Sequence, residues 1–135
     1  MKQKKTTPQL KKTLDRVFKK KIRTRYSVNG FAICVSCPKR IELGTSDYHA
    51  GHYIPSTYTI LRWEDDNVHA QCSGCNVFKR GNLIEYRKGL EDKIGKDRER
   101  EMWEIRHTIF KPTREWLEER IEQEKEEIKL LSNSA

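Results

Sequence analysis

Leu10, Leu14, Val17, Phe18 and Ile22 recur at intervals of three and four, and Lys11, Lys12, Arg16, Lys19, Lys20 and Arg23 occupy positions between them. That period predicts one amphipathic helix over residues 8–24, with Thr7 as its cap and Pro8 in its first turn. Residues 1–7 read as a mobile basic arm. After the Asn29-Gly30 turn the apolar positions come in short runs: 31–34, 41–43, 48–54 and 67–71, broken by Gly44 and Pro55. Such runs read as strands. Residues 56–66 read as a loop, with Leu61 and Trp63 turned inward. Helical spacing then returns. Asn82 with Glu85 three residues on suggests a capping box for a helix with Leu83, Arg87, Leu90 and Ile94 on one face, stopped by Gly95. A second helix is expected over residues 97–110, with Met102, Ile105 and Ile109 buried. Pro112 breaks it, and Thr113 caps a last, acidic helix over residues 114–131, with a stripe of Leu117, Ile121, Ile128 and Leu131. Residues 132–135 should fray.

The expected class is α+β, as a small metal-stapled core with flanking α-helices. Three segments follow: a basic arm and helix over 1–25, the core over 26–95, and C-terminal helices over 96–135. At 135 residues with 36% charged, the chain has a small apolar core, so a metal that ties distant segments together matters for stability. The net charge of +8 is unevenly placed. Residues 1–25 hold eight Lys, three Arg and one Asp, or +10; the rest is −2. Lys11, Lys12, Arg16, Lys19, Lys20 and Arg23, with the run Lys19-Lys20-Lys21, therefore form a candidate phosphate-binding face for DNA. No apolar run suits a transmembrane helix or a signal peptide, so the expected site is the cytoplasm.

The chemistry concentrates between Cys34 and Asn76. Cys34-Val-Ser-Cys37 and Cys72-Ser-Gly-Cys75 are two C-x-x-C pairs, and the chain has no other cysteine. Two such knuckles make one four-cysteine site for structural Zn²⁺, in preference to disulfides or a redox pair. The layout of strand, loop, strand and helix, with zinc at the ends, resembles the ββα-metal finger of HNH nucleases. His52-Tyr-Ile-Pro55 resembles their H-I-x-P, Asn67 falls where the middle Asn stands, and Asn76 takes the place of the last His. An Asn directly after the final cysteine also resembles phage endonuclease VII. The run Gly51-His-Tyr-Ile-Pro55, Arg62-Trp63, Asn67-Val-His-Ala-Gln-Cys72, Cys75-Asn76 and Gly81-Asn-Leu-Ile-Glu-Tyr86 is similar to the NinG (Rap) family of lambdoid-phage recombination proteins. That likeness begins near Leu14-Asp15-Arg16-Val17-Phe18 and extends to about Gly95.

The resemblance implies a structure-specific endonuclease acting on branched DNA and Holliday junctions in phage recombination, hosted in the bacterial cytoplasm. It gives His52 the role of general base, since a neutral imidazole accepts a proton near pH 7. It gives Asn67 the role of ordering the loop that aims His52. A catalytic Mg²⁺ or Mn²⁺ takes oxygen ligands, and the Asn76 carbonyl offers one. HNH enzymes carry Asp or His before the base, where this chain has Gly51. Residues 47, 49 and 51 share a strand face, so His49 is the favoured replacement ligand and Asp47 the second choice, helped by a bulge at Gly51. His69 is a further candidate for phosphate contact or site support; His107 reads as a surface residue and Trp63 as core. Paired cuts in a junction suggest a homodimer, with the acidic last helix in its interface. Two other readings stand beside this one: an HNH nicking enzyme for ordinary duplex, and a non-catalytic zinc-stabilised DNA-binding module.

Overall fold

The computed structural model describes residues 4–133, so positions 1–3 of the expected arm and 134–135 of the expected frayed end lie outside it. Helix α1 (Thr7–Tyr26) is capped one residue earlier than expected: Thr6 accepts from Gln9 N, and the Gln9 side chain accepts from Thr6 N at 2.8 Å. The reciprocal pair satisfies two donors that a helix start leaves orphaned. The apolar stripe Leu10, Leu14, Phe18 and Ile22 packs on Leu117 and Ile121 of α5 (Arg114–Asn133), on Ala50 and Val68, and on Trp63. Each large aliphatic side chain so buried contributes about 1.5–3 kcal/mol. The stripe of α5 is thus covered within the chain; Ile128 and Leu131, expected to extend it, are only half-buried.

Two antiparallel ladders form the β component. Strands β1 (Phe31–Ile33) and β2 (Arg40–Glu42) make a hairpin around the first knuckle. Strands β3 (Tyr48–His52) and β4 (Val68–Cys72) pair in continuous register from Tyr48↔Cys72 to His52↔Val68. The expected bulge at Gly51 is absent; Gly51 faces His69 directly. Its lack of a side chain has a packing cause: a Cβ there would stand 2.1 Å from Gln71 Oε1. Strand β3 ends two residues before the expected limit, because Ile54 N is taken by the Asn67 side chain at 2.8 Å.

The 56–66 loop holds a short helix α2 (Thr59–Arg62), and a 3₁₀ turn over Asp65–Asn67 follows; Leu61 and Trp63 are buried as expected. After the second knuckle the expected helix is a single π-turn, Gly74–Phe78. Helix α3 (Leu83–Ile94) follows, burying Tyr86 and Leu90 rather than Leu83 and Arg87. Asn82 does not cap it; its amide donates instead to Ser36 O at 3.0 Å and to Cys75 Sγ. Helix α4 (Lys96–Ile105) ends five residues short of the expected limit, and Ile109 is exposed. The chain must extend before Pro112, which disfavours helix at the preceding residue, and Phe110 packs edge-on against Trp116 of α5. Thr113 caps α5 as expected, accepting from Trp116 N at 3.1 Å.

Candidate functional site

The two knuckles arise from the two ladders. Cys34 and Cys37 leave the end of β1, and Cys72 and Cys75 bracket the end of β4. Their sulfurs all lie within 4.8 Å of one another. Cys37 Sγ and Cys72 Sγ are 3.7 Å apart. Four ligands at roughly 2.3 Å from one centre stand about 3.8 Å from each other, so the set fits a tetrahedral zinc ion. Backbone amides already point at the sulfurs: Cys72 N donates to Cys34 Sγ, and Cys75 N to Cys72 Sγ. Burial pushes the Cys72 thiol up to about 12. Burial acts the same way at Cys75, but hydrogen bonds from Ser36 and Asn82 outweigh it and bring that thiol to about 7. Thiols crowded this closely compete for protons, and a cation that binds them as thiolates removes the conflict.

The second knuckle is fastened by Asp47, which accepts from Ser73 N and Ser73 Oγ and pairs with Lys39 Nζ at 2.7 Å. The bonds from Lys39 and Ser73 hold its carboxyl near 2. Asp47 is therefore engaged in the knuckle rather than free beside Gly51.

His49 and Asn76 come together. His49 Nε2 lies 2.9 Å from Ser46 O and so carries the proton, which leaves the lone pair on Nδ1. Nδ1 stands 2.8 Å from Asn76 Nδ2. Fixing one ring nitrogen on a backbone carbonyl is how metal-ligating histidines are usually oriented.

His52 leaves the opposite face of β3, because residues three apart on a strand alternate, with Cα atoms about 10 Å apart. It lies on the α1 side, and the structure does not bring it against Asn76. Its Nε2 donates to Arg62 O at 2.9 Å, so Nδ1 is the free acceptor. Burial lowers its pKa, the Arg62 bond opposes this, and the Lys19 charge adds to the lowering. The imidazole is therefore neutral at pH 7.

What aims that ring is a clamped loop. Asn67 is fully buried and spans it, with Oδ1 accepting from Ile54 N and Nδ2 donating to Ile54 O and Leu61 O. Asp15 of α1 closes the clamp from outside. It takes Arg62 in a two-point pair at 2.9 and 2.6 Å and also accepts from Trp63 Nε1. Sequence reasoning assigned Asp15 no role. Its signal was there: it is the sole acid among the first 25 residues.

His69 is buried away from solvent, and burial together with Arg25 and Lys93 drives its pKa to about 3. Its Nδ1 meets Tyr86 Oη, and Tyr86 Oη donates to Gly51 O at 2.6 Å. Tyr86 and Gln71, both unassigned from sequence, thus pack the Gly51 face. Gln71 Nε2 donates to Ser36 Oγ and Gly81 O, while Oε1 has no partner among the described residues. His107 is exposed, edge-on to Tyr58.

Along α1, none of Lys11, Lys12, Arg16, Lys19, Lys20 and Arg23 forms an ion pair among the described residues. Lys21 is different. It is 1% exposed and sits between Asp65 and Glu124, the latter at 2.8 Å. It is an internal charge of the α1–α5 contact and is withdrawn from the candidate phosphate-binding face. Among the described residues no helix is long and apolar enough to cross a membrane.

Residues 1–134 match the family described as "Bacteriophage Lambda NinG protein". Protein ninG of Escherichia phage 933W is 38% identical over 65 residues, which is 47% of this chain and 31% of the relative. Protein ninG of Salmonella phage P22 is 40% identical over 63 residues, 46% of this chain and 30% of the relative. Protein ninG of Escherichia phage lambda is 38% identical over 65 residues, 47% and 30%. The matched stretch thus spans 31% or less of these relatives' own length. No solved structure matches.

Proposed function

The chain belongs to the NinG family of phage proteins, and from that premise we propose that it is a metal-dependent HNH-type endonuclease that cuts branched DNA, such as four-way junctions, in phage recombination. The observation that carries the reading is the relay from Asn67 through the clamped loop to His52. A buried Asn that ties Ile54 to Leu61, with Arg62 O on the His52 ring, is an arrangement for aiming one imidazole nitrogen.

In this reading His52 Nδ1 accepts a proton from the attacking water, because Nε2 is already committed to Arg62 O. The lowered pKa keeps that lone pair available at neutral pH. His49 Nδ1 and the Asn76 amide, turned to present its oxygen, are the residues that would hold a divalent ion. Mg²⁺ is usually held by one or two carboxylates with waters and phosphate completing the set; here an imidazole and an amide would stand in their place, a donor set better suited to Mn²⁺. When bound, the ion supplies positive charge for the phosphate and the leaving oxygen. The scissile phosphate lies across the outer edge of β3, which pairs with no other strand among the described residues. His52 then approaches from the α1 side and His49 with Asn76 from the other. Lys19, near His52, and the unpaired cations of α1 hold the flanking phosphates. The cysteine cluster, with zinc, keeps Asn76 at the end of β4.

A gel assay with matched linear duplex and four-way junction, with and without Mg²⁺ or Mn²⁺, tests the proposal. Metal-dependent cutting of the junction alone is expected. Equal cutting of both substrates favours the duplex-nicking reading. Binding without cutting at any metal concentration leaves a DNA-binding module.

A further inference from the structure

The turn beyond Asn76 and the start of α3 carry exposed apolar side chains that no described residue covers. Val77, Phe78, Leu83 and Ile84 are 56, 84, 48 and 76% exposed. Single exposed apolar residues are ordinary, but four large ones within eight residues are a patch. The turn beneath them is fixed in shape. Lys79 N donates to Gly74 O, Gly81 N to Cys75 O at 2.8 Å, and Asn82 N to Lys79 O. Arg80, Gly81 and Asn82 all have positive φ, at 48°, 92° and 46°. Two of the three carry a Cβ and disfavour that region, so the surroundings hold them there. Those surroundings are the cysteine cluster, through the Asn82 bonds to Ser36 O and Cys75 Sγ and the Gln71 bond to Gly81 O.

Charge identifies what these side chains meet. Lys79 and Arg80 are exposed, and neither forms an ion pair among the described residues. Protein interface cores are depleted in Lys, though enriched in Arg, whereas an aromatic side chain flanked by cations suits a stacked base between phosphates. Phe78 is two residues from Asn76, with Cα atoms about 5 Å apart in a helical turn. Bases along one strand rise about 3.4 Å per step. A phosphate at His49 and Asn76 therefore puts the backbone that carries Phe78 within one or two base steps of the cut, with the Phe78 side chain turned to the other side of the turn.

We propose that this turn is a wedge. Phe78 stacks on an unstacked base at the branch point, while Lys79 and Arg80 hold the phosphates beside it. The inference rests on the branched-DNA reading and names the part of the chain that tells a branch from plain duplex.

The test places 2-aminopurine at the branch point of a four-way junction and in a matched linear duplex, without added Mg²⁺ or Mn²⁺. Wild-type protein should raise the fluorescence on the junction. Phe78→Ala should lose most of that rise and about 10-fold in junction affinity, the worth of one stacked base, with duplex affinity changed less than about twofold. Phe78→Trp should retain both. The side chain is exposed, so zinc content and thermal midpoint should match wild type. An unchanged fluorescence rise in Phe78→Ala overturns the wedge, as does an equal affinity loss on both DNAs. A shift in sedimentation with unaltered DNA binding overturns it in favour of contact between copies. Cleavage is scored separately: a wild type that shows the Phe78-dependent rise but never cuts keeps the wedge and removes the nuclease. A wild type that cuts junctions identically to Phe78→Ala, with no fluorescence difference, does the reverse.

Discussion

His49 Nδ1 lies 2.8 Å from Asn76 Nδ2, although the two residues are 27 apart in the chain. Strand β3 presents one and the π-turn after the second knuckle presents the other. If this pair holds the divalent ion, His49→Ala and Asn76→Ala should each raise the metal concentration for half-maximal cleavage by at least about 10-fold. Saturating metal should restore part of the activity. Because one ligand is an imidazole nitrogen, Mn²⁺ should saturate the enzyme below Mg²⁺. An unaltered metal titration in both variants would contradict the assignment.

The cysteine cluster should contain one zinc per chain. It joins residues 34–37 to 72–75 across a small core, so stripping the metal should lower the thermal midpoint sharply and abolish DNA cleavage. Metal analysis with chelator-treated and reloaded protein checks this. Folded, active protein with much less than one zinc per chain is the opposing result.

Adjacent lysines should separate stability from DNA binding. Lys20 is exposed and forms no ion pair among the described residues, whereas Lys21 is buried between Asp65 and Glu124. Lys20→Ala should change stability by less than about 0.5 kcal/mol and reduce the salt slope of DNA binding by about 0.9. Lys21→Ala leaves a buried carboxylate short of a partner and should cost about 3–5 kcal/mol. Arg120, 2.7 Å from Glu124, places the effect toward the lower figure. Denaturant titrations and salt-dependent binding on both variants supply the answer; equal stability losses would refute the distinction.

His69 should make the fold acid-sensitive. Its folded pKa is about 3, set mainly by burial, against about 6.5 unfolded. As pH falls below 6.5 the unfolded chain takes up a proton that the folded chain does not. Stability present above 6.5 is therefore lost toward pH 3 at about 1.4 kcal/mol per unit. Between pH 6.5 and 5 the wild type should lose about 2 kcal/mol more than His69→Gln, which keeps a donor for Tyr86. Equal losses in urea titrations at the two pH values would show that His69 is not the responsive group.

The local signals in the sequence carried the elements whose cause is local. The 3.6-residue stripe gives α1, the paired C-x-x-C gives the cysteine cluster, and Thr113 caps α5. What sequence could not supply depends on contacts across distance. Asn82 looks like a helix cap, but Ser36 O and the Cys75 sulfur claim its amide. Gly51 suggests a bulge, but Gln71 fills its space and the ladder runs straight. Lys21 belongs by type to the basic face, yet acids on a segment about a hundred residues later draw it inside. Strand parity places His49 and His52 on opposite faces of β3, but the partner of each ring, Asn76 and Arg62 O, follows from how the loops close.

The proposed endonuclease depends on His52 as its base. Single-turnover cleavage of a four-way junction at saturating Mn²⁺, wild type against His52→Ala, tests it most directly. The variant should lose about 10²–10⁴-fold in rate, the usual worth of a positioned base, with zinc content and junction affinity unchanged. Cleavage by His52→Ala at the wild-type rate would contradict the account.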